Sequence, residues 1–154
     1  DNAIFSAQAN IADLISNASV NNSSNVSKIK SKLEKMISLN MGFERSLEGM
    51  EEVSKTLENL EKEIHQENLI DSNMIMNTNL TQLIELRGLI SIVKASIIAA
   101  ISRKESRGSH QRADIEETLN DSMLKHSLVN SNLEINWLPL RKSASGSWIL
   151  TPDN

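Results

Sequence analysis

The 154-residue chain contains no cysteine. That excludes a disulfide framework, a thiolate nucleophile and any Cys-ligated zinc or iron–sulfur site. Aromatic residues are almost as scarce: two Trp, two Phe and no Tyr. A core must then be built from Leu, Ile, Val, Met and Ala, which favours helices over a sandwich or barrel. Charge of one sign is also missing, since 16 basic and 20 acidic residues leave a net charge of -4. Such a balance gives no electrostatic footprint for nucleic acid or an anionic membrane, so no nucleic-acid partner is expected. Neither G-x-G-x-x-G nor G-x-x-x-x-G-K-[ST] occurs, so the chain lacks the dinucleotide fingerprint and the phosphate loop, and no cofactor is expected within it. The longest apolar region, "LIELRGLISIVKASIIAAI", is broken by Glu85, Arg87 and Lys94 and reads as a buried helix rather than a membrane span. No basic start followed by an apolar run marks a signal peptide. The chain opens on Asp1 without a methionine, and the expectation is a piece of something longer.

What is present is helical periodicity. The length suits a single domain. Ile4, Ala7, Ile11, Leu14 and Ile15 predict a first helix, followed by an Asn/Ser-rich linker; together they make up residues 1–25. Residues 26–107 read as a helical bundle. Its first helix carries Ile29, Leu33, Met36 and Ile37 on one side, and its second repeats Leu47, Met50, Val53, Leu57, Leu60 and Ile64 at steps of three and four. The third runs from about Thr78 to Arg103, N-capped by Asn77 or Thr78. Its apolar positions cover more than one face, which predicts a central helix with two or more neighbours. Met36, Met50, Met74 and Met76 read as core fillers. Residues 108–154 form an extended C-terminal segment in which "LEINWLPL" and "SGSWILT", joined by "RKSASG", predict a β-hairpin over 133–151. The expected fold is therefore mainly α: a three-helix, spectrin-repeat-like bundle with an additional N-terminal helix and an extended tail.

One stretch looks chemical. "ESRGSHQRAD" crowds Glu105, Arg107, His110, Arg112 and Asp114 around Gly108. His110 could act as an acid/base group, and the arginines could hold a carboxylate through paired hydrogen bonds. The competing reading is a helix C-terminus, with Arg103, Lys104 and Arg107 at the negative end of the dipole and Gly108 as a left-handed cap. Charged helix ends are common, so structure is preferred over catalysis. His65, His110 and His126 lie in separate segments without paired metal-ligand spacing, and no metal site is expected.

At "AAISRKESRGSHQRAD" the sequence resembles the flavoprotein subunits of succinate dehydrogenase and fumarate reductase and, more distantly, L-aspartate oxidase. In those proteins a long helix ends in a run like Ala-x-x-Arg-x-Glu-Ser-Arg-Gly-[Ala/Ser]-His-x-Arg-x-Asp. The matching positions are Ala99, Ala100, Arg103, Glu105, Ser106, Arg107, Gly108, Ser109, His110, Arg112 and Asp114, then Lys125 and His126. "EKMISLNMGFERSLEGMEEV" adds Met36, Gly42, Arg45 and Leu47. Ser109 stands where alanine is usual, Ile115 and Glu116 where a proline is common, and Met123 where an aromatic is common.

The resemblance implies the C-terminal helical domain of a flavoprotein that interconverts succinate and fumarate by hydride transfer with FAD. Its flavin site and catalytic arginine would lie on other sequence. This chain would then hold no catalytic, cofactor or metal residues and be inactive alone. Glu105, Ser106, Arg107, Gly108, His110, Arg112, Asp114 and His126 would form a domain-interface motif. The implied partners are the flavin-binding and capping domains and an iron–sulfur subunit, with a homodimer of the isolated piece as a further expectation. The implied location is cytoplasmic, or the cytoplasmic or matrix face of an energy-transducing membrane. A free-standing helical module that recruits a protein partner is the rival reading.

Overall fold

The computed structural model describes residues 2–18, 24–116 and 120–149. Most of the expected Asn/Ser linker and the last two residues of the expected hairpin lie outside them. The described chain is mainly helical: α1 (Asn2–Ser16), α2 (Val26–Asn40), α3 (Leu47–Gln66) and α4 (Thr78–Ser102). Short strands β1 (Glu44–Arg45) and β2 (Gln111–Arg112), a 3-10 turn (Asp121–Met123), and strands β3 (Lys125–Val129), β4 (Ile135–Pro139), β5 (Arg141–Lys142) and β6 (Trp148–Ile149) complete it. This is the expected helical bundle with an N-terminal helix and an extended tail. Where chain length suggests one domain, contacts divide it into two compact units: Asp1–Lys35 with Leu57–Ser91, and Met36–Thr56 with Ile92–Asn154.

The first unit is closed by aliphatic side chains at helical spacing. Val26, Ile29 and Leu33 of α2, Leu57, Leu60 and Ile64 of α3, and Leu83, Leu86 and Ile90 of α4 are all buried, joined by Leu69. Full burial contributes about 2 kcal/mol for each such side chain. Asn77 is the N-cap of α4, its Oδ1 accepting from the Leu80 N–H at 2.9 Å. Arg87 Nη2 donates to the Ile64 and His65 carbonyls, bringing a cation to the negative end of α3. α1 forms as expected yet buries no residue completely.

Two packing expectations are refined. α4 buries Leu83, Leu86, Ile90 and Ile97 and half-buries Leu80, Val93, Ile98 and Ile101, while Ile84, Leu89 and Ile92 are 41, 38 and 65 % exposed, so part of its apolar breadth stays uncovered. Among the methionines, Met50 is buried, whereas Met74 and Met76 are exposed because they sit in the α3–α4 connection, outside any helical register.

In the second unit Met50 and Val53 of α3 and Ile97 and Ala100 of α4 are buried, as are Met123 and Leu138. Ser46 caps α3, its Oγ accepting from the Gly49 N–H at 3.1 Å. β1 and β2 pair in parallel, Glu44 opposite Gln111 and Arg45 opposite Arg112. The single hairpin expected over 133–151 is replaced by two. β3 pairs with β4, Lys125 opposite Pro139 through Val129 opposite Ile135, and β5 pairs with β6. The reason lies in the turns: Asn130 Oδ1 accepts from the Asn132 and Glu134 N–H groups and closes the first one, while Gly146 at φ 83° shapes the second. Trp137 packs under two cations, Arg103 at 5.4 Å and Lys125 at 4.7 Å from its ring centroid.

Candidate functional site: a charge network at the end of α4

α4 stops at Ser102, and Gly108 does not cap it. Gly108 instead opens a two-residue turn at φ 58°, between Arg107 and His110, whose backbones exchange hydrogen bonds of 2.8 and 3.0 Å. β2 then brings back Arg112, which is buried and donates from Nη1 to the carbonyls of Ala100, Ile101 and Arg103 at 3.3 to 3.5 Å. An arginine thus satisfies the orphan carbonyls that a left-handed glycine would otherwise serve. Its other edge grips Asp114 twice, Nε to Oδ1 at 2.8 Å and Nη2 to Oδ2 at 2.7 Å. Asp114 Oδ2 in turn accepts from the Leu47 N–H at the start of α3. The Arg112 hydrogen bonds, aided by that N–H, outweigh desolvation and hold the Asp114 carboxyl well below the usual carboxylate range.

Glu105 is the most enclosed charge, with none of its surface exposed. Arg103 donates to Oε1 at 2.6 Å, Arg107 to both oxygens at 3.0 and 2.9 Å, and the Asn120 N–H to Oε2 at 3.1 Å. Burial pushes this carboxyl up, but the bonds from Arg107, Asn120 and Arg103 together prevail and bring it down to about 2. Arg103 also donates to the carbonyls of Met123 and Lys125, tying the end of α4 to the tail. Ser106, buried, accepts the Arg112 N–H at 2.9 Å.

His110 has a fixed tautomer. Arg45 can only donate, so Nδ1 accepts from its Nη1 at 3.1 Å; the Arg103 carbonyl can only accept, so Nε2 carries the hydrogen at 3.1 Å. Burial pushes the ring below its ordinary value and the carbonyl bond opposes this, while Arg45, Arg112 and Arg103 add to the depression. The result is a neutral imidazole with both nitrogens engaged, a poor candidate for an acid/base group.

The structure therefore brings Glu105, Ser106, Arg107, His110, Arg112 and Asp114 into one network, with Gly108 supplying its turn. His126 stands on β3 with its side chain exposed, and lines a cleft with Arg103, Arg107, His110 and Lys125. Arg45 and Asn120 are members that the sequence did not place there, and Arg103, expected as a cation at the helix end, is also a partner of Glu105. For Arg45 and Arg103 a signal existed, as both fall in the segments that carry the family resemblance; Asn120 contributes its backbone and leaves no such trace. Among the described residues, no group of three or more His, Asp or Glu could hold a metal ion. Nor is any helix there long and apolar enough to cross a membrane.

The fold is shared with solved structures. An E. coli quinol fumarate reductase chain superposes with a TM-score of 0.75 over 94 % of this chain and 26 % of that one, at 23 % identity. Residues 30–147 match the family described as "Fumarate reductase flavoprotein C-term", and the chain belongs to that family. Among its curated relatives, the mitochondrial succinate dehydrogenase flavoprotein subunit of Oryza sativa subsp. japonica is 32 % identical over 70 % of this chain and 17 % of the relative. The fumarate reductase flavoprotein subunit of Mycobacterium tuberculosis is 35 % identical over 46 % of this chain and 13 % of the relative. The match covers about a sixth of the length of these relatives at most. Flavoprotein subunits of oxidoreductases are thus what this C-terminal domain is similar to, and a free-standing interaction module is not favoured.

Proposed function

We propose that the chain braces the flavin-binding domain of an FAD-dependent enzyme that interconverts succinate and fumarate, with the network around Glu105 and Arg112 at the junction. The observation that carries this is the state of the charges from Arg103 to Asp114: each arginine, carboxylate and imidazole described there is bonded to a helix end, a turn or another member of the network, with Nη1 of Arg107 outside those bonds. Such a cluster sets a rigid surface and leaves the reaction to other sequence. The family match supplies the setting, and the exposed Ile84, Leu89 and Ile92 of α4 supply apolar surface for neighbouring domains to cover. FAD and the catalytic arginine belong, in this reading, to the flavin-binding and capping domains. An iron–sulfur subunit is the onward partner, and the location is cytoplasmic or the cytoplasmic or matrix face of an energy-transducing membrane. Taken alone, the chain covers its apolar faces by pairing with a second copy; a strict monomer by solution mass measurement at high concentration counts against that pairing.

The test is a chimera. The chain replaces the corresponding C-terminal portion of a relative's flavoprotein subunit, and flavin absorbance and succinate oxidation with an artificial acceptor are measured. Bound flavin and turnover above those of the truncated relative are expected. Turnover on dicarboxylates by the 154-residue chain alone, lost on His110→Ala, overturns the reading.

A further inference from the structure

The tail and the residues that follow α4 line an open cleft of about 310 Å³. Arg103, Arg107, Lys125 and His126 bring basic side chains to it, Met123, Leu124 and Leu140 bring apolar ones, and the neutral, doubly engaged His110 ring adds no charge. Glu105, which neutralises two of these arginines, is fully buried and presents no charge to the opening. The other carboxylate acting on Arg107 is Asp121. Arg107 spends Nε and Nη2 on Glu105 and Nη2 also on the Asn120 carbonyl, keeps 32 % of its side chain exposed, and so has its Nη1 end to offer. Lys125 and the exposed His126 are consecutive residues on β3.

We infer that this cleft is a docking pocket for an extended acidic segment, in which a carboxylate side chain meets Arg107, Lys125 and His126 while a neighbouring aliphatic side chain rests on Met123, Leu124 and Leu140. Charge complementarity selects a carboxylate. Volume selects a side chain or two, because a cleft of about 300 Å³ is at the lower limit for small-molecule sites and far short of a dinucleotide cofactor. The apolar part of the lining selects a peptide over a free anion, which would leave it wet. The inference deepens the proposed function and rests on it: the acidic segment is a piece of the flavin-binding domain that the network faces.

Trp137 reports on the cleft, since Arg103 and Lys125 both line it and both lie over that ring. In a Trp148→Phe background, where Trp137 is the remaining tryptophan, the chain is titrated with acetyl-Leu-Glu-Leu-amide, its Gln counterpart, and succinate. Saturable fluorescence change is expected with the Glu peptide, and binding at least tenfold weaker with the Gln peptide and with succinate. Lys125→Glu with His126→Glu weakens the Glu peptide at least tenfold at unchanged far-UV circular dichroism; if that pair unfolds, Lys125→Met with His126→Gln gives the same ordering. Equal binding of the Gln peptide, no binding, succinate binding as tightly as the peptide, or a dimer abolished by the double variant overturns the inference, the last two by assigning the cleft to a free dicarboxylate or a second copy. Failure here with an active chimera removes the docking pocket alone. Peptide binding with an inactive chimera removes the enzyme reading instead.

Discussion

Replacing Glu105 with Gln keeps the shape of the side chain and removes its charge. Two arginines, 15 and 32 % exposed, then face a neutral amide, and breaking a buried pair in this way costs about 3 to 5 kcal/mol. The pH dependence gives a second, independent estimate. An unfolded glutamate titrates near 4.5 and the folded one at about 2. At about 1.4 kcal/mol for each tenfold difference, the ionised Glu105 contributes about 3 kcal/mol above pH 4.5, and the contribution is lost as pH falls towards 2. Urea unfolding of both proteins at pH 7 and pH 3 reads this directly. At pH 7 the variant should be less stable by about 3 kcal/mol or more. At pH 3 the gap should shrink by about 2 kcal/mol, because only the parent loses stability through this group. Asp114, also depressed, is present in both proteins and cancels. A gap below about 1 kcal/mol at pH 7, of the size expected for a surface pair, or a gap that does not change with pH, refutes the account of Glu105 given above.

Other outcomes follow from the same geometry. Gly108→Ala meets no steric neighbour but must hold φ 58°, so thermal melting should show a loss of about 1 kcal/mol and no more than about 2. Leu60→Ala in the sealed core should cost about 2 to 5 kcal/mol in denaturant unfolding, and a loss under about 1 kcal/mol would mean the site is not closed. Ser46→Ala removes the α3 cap and should cost about 1 kcal/mol by the same measurement. The His110 ring protons, followed by NMR, should titrate below the ordinary histidine value, and a midpoint above 6.5 contradicts the neutral, doubly engaged ring.

The helices were legible because each depends on a local rule. The stripe from Met50 to Ile64 is a spacing, the cap at Asn77 is a single residue in the right place, and both survive folding unchanged. What was not legible depended on partners distant in sequence. Gly108 looked like a helix cap because glycine after basic residues usually is one, and only the return of Arg112 to the Ala100 and Ile101 carbonyls made that cap unnecessary. "LEINWLPL" has strand character whichever neighbour it finds; its choice of Lys125–Val129 over the downstream segment rests on Asn130 closing the shorter turn. At the site, the charged letters were visible and their pairing was not. Nothing in "ESRGSHQRAD" shows that Arg45, in a segment more than fifty residues earlier, holds His110 in one tautomer.

Arg112 and Asp114 illustrate what composition cannot carry. The arginine meets the negative end of α4 and the aspartate the positive end of α3, so each charge opposes the dipole it touches. Written in reverse, Asp-x-Arg would have the same composition, net charge and hydropathy, and would set like against like at both ends. The order of those two letters is therefore a statement of direction: it says which helix arrives at this corner and which one leaves.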